Sequence, residues 1–189
     1  MCGIIGILSN CDINVFDFII ESLLQLQNRG YDSSGVCLID KSEFILHKYA
    51  STNEEDALEK IKKIHLFDKN INIGIGHNRW ATHGPKNDIN SHPHISNNGK
   101  IVIVHNGIIE NFRELKKFLL DKGYKFYSDT DTEIIANLLE YYSKLDEDVG
   151  GNFMNVIQKT IHVLSGTYGL IILNKDEVNM LFFMVKPDI

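Results

Sequence analysis

The 189-residue chain has 43% hydrophobic and 23% charged residues, as ordinary globular proteins do, and is long enough for one domain with a buried core. Its 19 basic and 25 acidic residues give a net charge of −6, which disfavours nucleic-acid binding because phosphate contacts need clustered cations. The longest apolar run, at 180–185, is far shorter than the roughly 20 residues of a membrane-spanning helix, so we expect no membrane partner.

Hydrophobic periodicity predicts alternating groups of strands and helices along the chain. In order, we expect a strand at 2–8, a helix at 15–26, strands at 35–39 and 44–47, a helix at 54–64, strands at 71–75 and 101–104, helices at 110–120, 132–142 and 154–164, and strands at 167–173 and 178–185. A long polar loop, 82–100, joins two of the strands. Because strands come in pairs with the helices collected between them, the pattern favours a single α+β layered domain.

The cysteines are Cys2, Cys11 and Cys37. An odd number without a Cys-x-x-Cys spacing is typical of reduced thiols in the cytoplasm and not of a disulfide framework. We expect Cys11 and Cys37 to be packing residues. No residue pattern indicates a cofactor.

Cys2 is the most informative residue for chemistry. If Met1 is removed, Cys2 carries a thiol and a free α-amine, whose reference pKa values are about 8.5 and 7.7–8.0. Such an amine can take the thiol proton near neutral pH and leave a strongly nucleophilic thiolate. Taken alone, however, Cys2 is better explained as a small apolar residue that begins a strand.

Polar clusters at the ends of predicted strands are the places to look for partners of Cys2. They cover 28–35, 77–84, 92–94, 105–107 and 129–133. Five motifs appear in order: CGIIG at 2–6, RGYDS at 29–33, RWATHG at 79–84, SHPH at 91–94 and HNGIIEN at 105–111.

Together these motifs resemble the glutaminase domain of the glutamine–fructose-6-phosphate aminotransferase (isomerizing) family, also called glucosamine-6-phosphate synthases. This family belongs to the class II glutamine amidotransferases of the N-terminal nucleophile hydrolase superfamily. The resemblance implies a four-layer αββα sandwich. It implies a type-2 glutamine amidotransferase domain over 1–189 that lacks its last C-terminal strands.

The resemblance also implies partners. The family joins this domain to sugar-phosphate isomerase domains, which are absent from 1–189 and are expected in cis or in trans, and the full-length enzymes are expected to form homodimers. In such enzymes ammonia from L-glutamine converts fructose-6-phosphate to glucosamine-6-phosphate. Alone, this chain is expected to be at most a glutaminase.

The resemblance assigns the catalytic residues. Cys2 would attack the side-chain amide of glutamine, and ammonia would leave behind a glutamyl thioester that water hydrolyses. Asn106 and the backbone N–H of Gly107 would hold the tetrahedral oxyanion. Arg29 would shape the loop beside Cys2.

The resemblance assigns a second set of residues to substrate binding. Arg79 would take the α-carboxylate of glutamine, and Asp131 would take its α-ammonium group. The residues expected around them are Trp80, Thr82, His83 and His92.

Simpler explanations stay open for several of these residues. Arg79 and Asp131 are also explained as surface ion-pair partners, and Asp131 as the N-cap of a helix. A zinc site is disfavoured because the candidate histidines fall on different predicted loops without a Cys partner or an i,i+4 pair. Those histidines are His77, His83, His92, His94 and His105.

Two functional alternatives also stay open. The chain is either an enzyme or a catalytically silent regulatory or assembly module. Within the enzyme class, the glutaminase domains of asparagine synthetases and of amidophosphoribosyltransferases share the Cys start and the Asn-Gly pair.

Overall fold

The computed structural model describes residues 2–11, 13–64, 71–81, 84–147 and 151–187 of the chain. These ranges contain eight strands and five α-helices. In chain order they are β1 Gly3–Leu8, α1 Val15–Gln25, β2 Ser33–Asp40, β3 Glu43–Ala50, α2 Ala57–Lys62, β4 Ile73–Arg79, β5 His94–Ile95, β6 Ile101–Ile109, α3 Phe112–Asp121, α4 Thr132–Glu147, α5 Phe153–Val163, β7 Gly166–Asn174 and β8 Phe182–Lys186.

The strands form two antiparallel sheets of four strands each. The first sheet has the order β1-β4-β2-β3, and the second has the order β5-β6-β7-β8. All the strand pairs in both sheets are antiparallel. The pairing of neighbouring strands by short turns, as in β2–β3 and β7–β8, is what the grouped strand pattern predicts.

Residue alternation along the central strands sorts the side chains into layers, because successive side chains of a strand point to opposite faces. In β2, Val36 and Leu38 pack with the residues of α1 and α2, whereas Cys37 and Ile39 pack against the second sheet. The core therefore continues through the first sheet, from its helices to its partner sheet.

The second sheet repeats this arrangement. In β6, Ile101 and Ile103 pack with the residues of α4 and α5, whereas Val102 and Val104 face the first sheet. Helices thus cover the outer face of each sheet, and the inner faces meet. The predicted four-layer αββα sandwich of the α+β class is confirmed.

Local capping decides where several helices begin. Asn14 caps α1 by accepting the N–H of Asp17 at 3.2 Å, and Asn152 caps α5 by accepting the N–H of Met154 at 2.9 Å. Asp56 accepts the N–H of Leu58 at 2.8 Å, so α2 begins at Ala57. The predicted start of this helix at 54 was wrong because a capping aspartate was assigned to the helix interior.

The strands differ from the prediction where polar residues lie inside them. β4 continues to Arg79, and β6 runs through 105–107 to Ile109, so all of the cluster 105–107 and the first three residues of the cluster 77–84 belong to strands. The predicted loop at 82–100 contains the short strand β5. The last strand begins at Phe182 and not at 178, because a turn follows the 3₁₀ segment at 175–177 and the N–H of Met180 donates to the carbonyl oxygen of Glu177 at 2.9 Å.

The first strand brings the N-terminus to one end of the sandwich. β1 pairs with β4 from Gly3 opposite Asn78, so Cys2 lies beside the end of β4. None of the helices in the described part of the chain is long and apolar enough to cross a membrane.

The interface between the two sheets should contribute much of the stability. Ile75 is fully buried there. Replacing it with alanine is expected to lower the free energy of unfolding by about 2–5 kcal/mol, because the cavity is closed in by both sheets. Chemical denaturation measures this. The control is Leu120→Ala on the exposed face of α3, where a change within about 0.5 kcal/mol is expected. Equal losses in the two variants would contradict the layered core.

Candidate active site around Cys2

The thiol of Cys2 contacts the backbone that follows β4. The backbone N–H of Trp80 donates to Cys2 Sγ at 3.2 Å, and the thiol donates to the carbonyl oxygen of Trp80 at 3.5 Å. Cys2 is half-buried, so the sulfur is held in place and still accessible.

The backbone of Cys2 is held by residues from both sides. Arg29 Nε lies 3.3 Å from the carbonyl oxygen of Cys2, and Asn106 Nδ2 donates to the same oxygen at 3.0 Å. Arg29 follows α1, whereas Asn106 lies in β6 of the other sheet. Two side chains therefore fix the position of one peptide carbonyl next to the thiol.

Gly107 follows Asn106 and is in a conformation that favours glycine. Its φ angle is +131°, and a Cβ added there would lie 2.1 Å from the carbonyl oxygen of Thr167. Any side chain would both strain the backbone and collide with β7. Glycine at 107 is what allows β6 and β7 to stay paired beside Cys2.

A small pocket opens next to the thiol. It is lined by Cys2, Arg79, Trp80, His92, His105, Gly107, Thr130, Asp131 and Thr132. These residues come from the N-terminus, β4, β6, the segment before β5 and the start of α4, so distant parts of the sequence meet in it.

Arg79 and Asp131 give the pocket one positive and one negative group. Both are buried, with 4% and 6% of their surface exposed, so they are not a surface ion pair. Burial lowers the pKa of Arg79, whereas the nearby charges of Cys2, Asp32 and Asp131 raise it. An arginine stays protonated throughout the physiological pH range. Asp131 is fixed by the backbone N–H of Ile109, which donates to Oδ2 at 2.9 Å.

His92, which lines the pocket, belongs to a cluster of buried histidines. His92 stacks on His77 with ring centroids 4.1 Å apart and meets His94 edge to face at 4.9 Å. Burial lowers the pKa of His77 to about 3 and holds the pKa values of His92 and His94 well below the ordinary value. These three rings are therefore neutral at neutral pH.

A close backbone contact lets the segment that contains His92 approach β2 at Gly35. A Cβ on Gly35 would lie 2.0 Å from the carbonyl oxygen of His92, so only glycine fits at 35. This contact seats His92 against the first sheet while its ring reaches the pocket.

The structure places most residues predicted for the site close together. Cys2, Gly107, Arg79, Trp80, His92 and Asp131 line the pocket. Arg29 and Asn106 lie in the adjoining cleft, which shares Cys2, Trp80 and Gly107 with the pocket. Thr82 and His83 lie outside the described residues. The catalytic and binding roles of all these residues stay predictions.

Sequence reasoning missed three lining residues, His105, Thr130 and Thr132. The two threonines flank Asp131 in the sequence. Their position next to a predicted binding residue could have indicated that they line the same pocket. His105 was considered only as a zinc ligand. Within the described ranges, no group of three or more His, Cys, Asp or Glu side chains is arranged to hold a metal ion.

The other two cysteines lie away from the pocket. Cys37 is buried between the sheets, as expected of a packing residue, and burial strongly raises the pKa of its thiol. Cys11 is exposed, so the expectation that it packs in the core was wrong.

Burial also raises the pKa of the Cys2 thiol, whereas the Trp80 hydrogen bond and the charge of Arg79 lower it.

Comparison with known proteins identifies the family of this chain. The glutamine amidotransferase domain family matches residues 77–185, which carry Arg79, His92, Asn106, Gly107 and Asp131. The chain belongs to the glutamine amidotransferase domain family. In the structure of this chain, the matched residues begin in β4 and end in β8.

Curated relatives of this glutamine amidotransferase domain are named glutamine–fructose-6-phosphate aminotransferase [isomerizing]. The Pyrococcus horikoshii protein is 44% identical over 186 residues, which are 98% of this chain and 29% of the relative. The Methanococcus maripaludis protein is 44% identical over 182 residues, which are 96% of this chain and 29% of the relative. The chain thus spans less than a third of the length of these relatives.

Solved structures share the fold of this domain. The Bacillus subtilis glutamine phosphoribosylpyrophosphate amidotransferase, complexed with ADP and GMP, aligns with a TM-score of 0.67 and 23% identity. A structure described as the allosteric regulatory enzyme of purine biosynthesis aligns with a TM-score of 0.69 and 23% identity. Each alignment covers 91% of this chain and 35% of the other chain.

The electrostatics of the pocket should be measurable through alkylation of Cys2. In Arg79→Gln, the pH profile of this reaction is expected to move to higher pH, because the guanidinium charge lowers the pKa of the thiol and only the thiolate reacts. Rates with iodoacetamide, followed by peptide mass spectrometry across a pH series, measure the shift. Exposed Cys11 is the internal reference and should keep its profile. A Cys2 profile that stays in place or moves to lower pH would contradict the assigned charge effect.

Proposed function

We propose that this chain is the glutamine-hydrolysing part of a glutamine–fructose-6-phosphate aminotransferase, with Cys2 as the nucleophile. The observation that carries the proposal is the accessible Cys2 thiol in one small pocket with buried Arg79 and buried Asp131. A free amino acid such as glutamine has one carboxylate and one ammonium group at its α-carbon. The two buried charges match these two groups, and the thiol then faces the side chain.

Activation of the thiol needs a base close to the sulfur. Burial raises the pKa of Cys2, so the thiol stays protonated near neutral pH. Removal of Met1 would convert the backbone nitrogen of Cys2 from an amide into an amine with a pKa of about 7.7–8.0. This amine takes the thiol proton as sulfur attacks the amide carbon, and it returns a proton to the departing ammonia.

The tetrahedral intermediate carries its negative charge on the former amide oxygen. One N–H of the Asn106 side-chain amide donates to the carbonyl oxygen of Cys2. The amide has a second N–H, which can donate to the oxyanion. Together with the backbone N–H of Gly107, this group stabilises the oxyanion. The loss of one such donor typically raises the barrier by about 2.7–4 kcal/mol.

Recognition of glutamine follows from the two pocket charges. Arg79 binds the α-carboxylate through its planar fork, and Asp131 binds the α-ammonium group. Trp80 covers the pocket, His92 forms its wall, and Thr82 and His83 support the carboxylate end. Arg29 holds the Cys2 carbonyl beside the reacting centre.

The second half of the reaction requires more protein than this chain. Ammonia released at Cys2 converts fructose-6-phosphate to glucosamine-6-phosphate on sugar-phosphate isomerase domains, joined in cis or bound in trans. Residues 1–189 then form part of a type-2 glutamine amidotransferase domain in a cytoplasmic enzyme that forms homodimers when complete. Identities of 44% to relatives with this name support the choice of acceptor.

Turnover of glutamine tests the proposal. The purified chain, shown by mass to lack Met1, is expected to convert glutamine and water to glutamate and ammonia, with activity lost in Cys2→Ala and kept in Cys11→Ala. Arg79→Lys is expected to lower kcat/KM about 10- to 100-fold, because a lysine cannot make the paired hydrogen bonds to a carboxylate. Asp131→Asn keeps an acceptor for Ile109 but removes the charge, and a similar loss is expected.

Two outcomes would contradict the proposal. Activity that persists in Cys2→Ala would exclude this cysteine as the nucleophile. The absence of turnover from folded chain with a free Cys2 amine would favour a catalytically silent module.

A further inference from the structure

A closed set of hydrogen bonds joins three residues behind Asp131. The backbone N–H of His105 donates to Nδ1 of His92 at 3.4 Å. The hydroxyl oxygen of Thr132 lies 3.3 Å from Nε2 of His92 and 2.9 Å from Nδ1 of His105. All three residues are more than nine-tenths buried, and all three line the pocket.

The direction of the first bond fixes the protonation of His92. A nitrogen that accepts a backbone N–H carries a lone pair, so Nδ1 of His92 is unprotonated. His92 is fully buried next to His77, His94 and Arg79, which holds its pKa well below the ordinary value and keeps it neutral. A neutral imidazole has one N–H, which is therefore on Nε2 and donates to Thr132.

The same reasoning continues through Thr132 to His105. The hydroxyl of Thr132 accepts from His92 and has one proton of its own to donate. The assignment that gives this proton an acceptor is donation to Nδ1 of His105, which lies 2.9 Å away. The ring of His105 is then protonated on Nε2 and has no proton on Nδ1.

This assignment has a consequence for the charge of the pocket. Nδ1 of His105 lies 3.8 Å from Oδ1 of Asp131, within ion-pair range although longer than a hydrogen bond, so a protonated Nδ1 would compete with a cation for that carboxylate. Oδ2 of Asp131 is already occupied by the N–H of Ile109. With Nδ1 unprotonated, Oδ1 of Asp131 has no donor from His105 and stays available to a cation in the pocket.

We propose that Thr132 is a positioning residue for the glutamine site, because its hydroxyl holds His105 in the Nε2–H form and so prevents Nδ1 from donating to Asp131. The proposal rests on the proposed function, in which Asp131 binds the α-ammonium group of glutamine. Thr132 acts through His105 and does not take part in bond breaking.

The ring protonation of His105 tests the proposal without any turnover. Long-range ¹H–¹⁵N correlation spectra of the wild-type chain, with backbone assignments, distinguish protonated from unprotonated ring nitrogens. We expect the Nε2–H form of His105 and of His92. In Thr132→Val, which keeps the shape and removes the hydroxyl, the Nδ1–H form of His105 is expected to appear.

Steady-state kinetics provide the functional readout. Thr132→Val is expected to raise KM for glutamine about 10-fold while kcat stays within about twofold, because a protonated Nδ1 of His105 then competes with the α-ammonium group for Asp131. Thr132→Ser keeps the hydroxyl and should restore KM. Thr160→Val is the matched control, because its buried hydroxyl bonds to Val156 within α5, away from the pocket.

Each outcome has a clear meaning. An Nδ1–H form of His105 in the wild-type chain overturns the proposal, whether or not the valine variant folds. An unchanged His105 ring in Thr132→Val, or a KM equal to that of wild type, also overturns it. If the wild-type chain shows the Nε2–H form but no glutamine turnover, the proposed function fails and the hydrogen-bond assignment stands.

Discussion

The position of one peptide carbonyl, that of Cys2, organises the site. It accepts hydrogen bonds from Arg29 and Asn106, which belong to opposite sides of the sandwich. Without these two donors, the residue before β1 would be a frayed terminus, since terminal residues are ordered only where contacts hold them. With them, the thiol is held against Trp80, and the pocket charges of Arg79 and Asp131 gain a fixed neighbour.

The two-sheet architecture explains how this carbonyl can be held from both sides. Residues such as Ile75 and Val102 bury the inner faces of the sheets against each other, which sets the distance between β4 and β6. Gly107 removes the side chain that would separate β6 from β7 at the level of the site. Packing far from Cys2 therefore determines whether donors from the second sheet reach it.

Much of the fold could be predicted from residue patterns. Runs of β-branched residues, such as those in β2 and β6, indicated most strands. Strand ends were mispredicted where polar residues continue a strand, as at His77 and Asn106, because their partners lie on other elements and cannot be read from a local pattern. The layer order came from the motif resemblance, since periodicity alone shows only that a face is buried.

Some residues of the candidate site could also be predicted from the sequence, and others could not. Cys2, Arg79 and Asp131 stood out because their chemistry is specific and their motifs are distinctive. The arrangement of His105 and Thr132 was not predictable, because ring protonation depends on partners 27 and 40 residues apart in the sequence. Such assignments require the geometry of the folded chain.

Covalent labelling tests the central claim most directly, namely that Cys2 meets the side chain of a bound glutamine. The chain would be incubated with a glutamine analogue that carries a chloroketone in place of the side-chain amide, and the modified peptide would be located by mass spectrometry. The account predicts one adduct, at Cys2, whose formation is slowed by free glutamine. Labelling of exposed Cys11 instead, or labelling of Cys2 that glutamine does not slow, would contradict it.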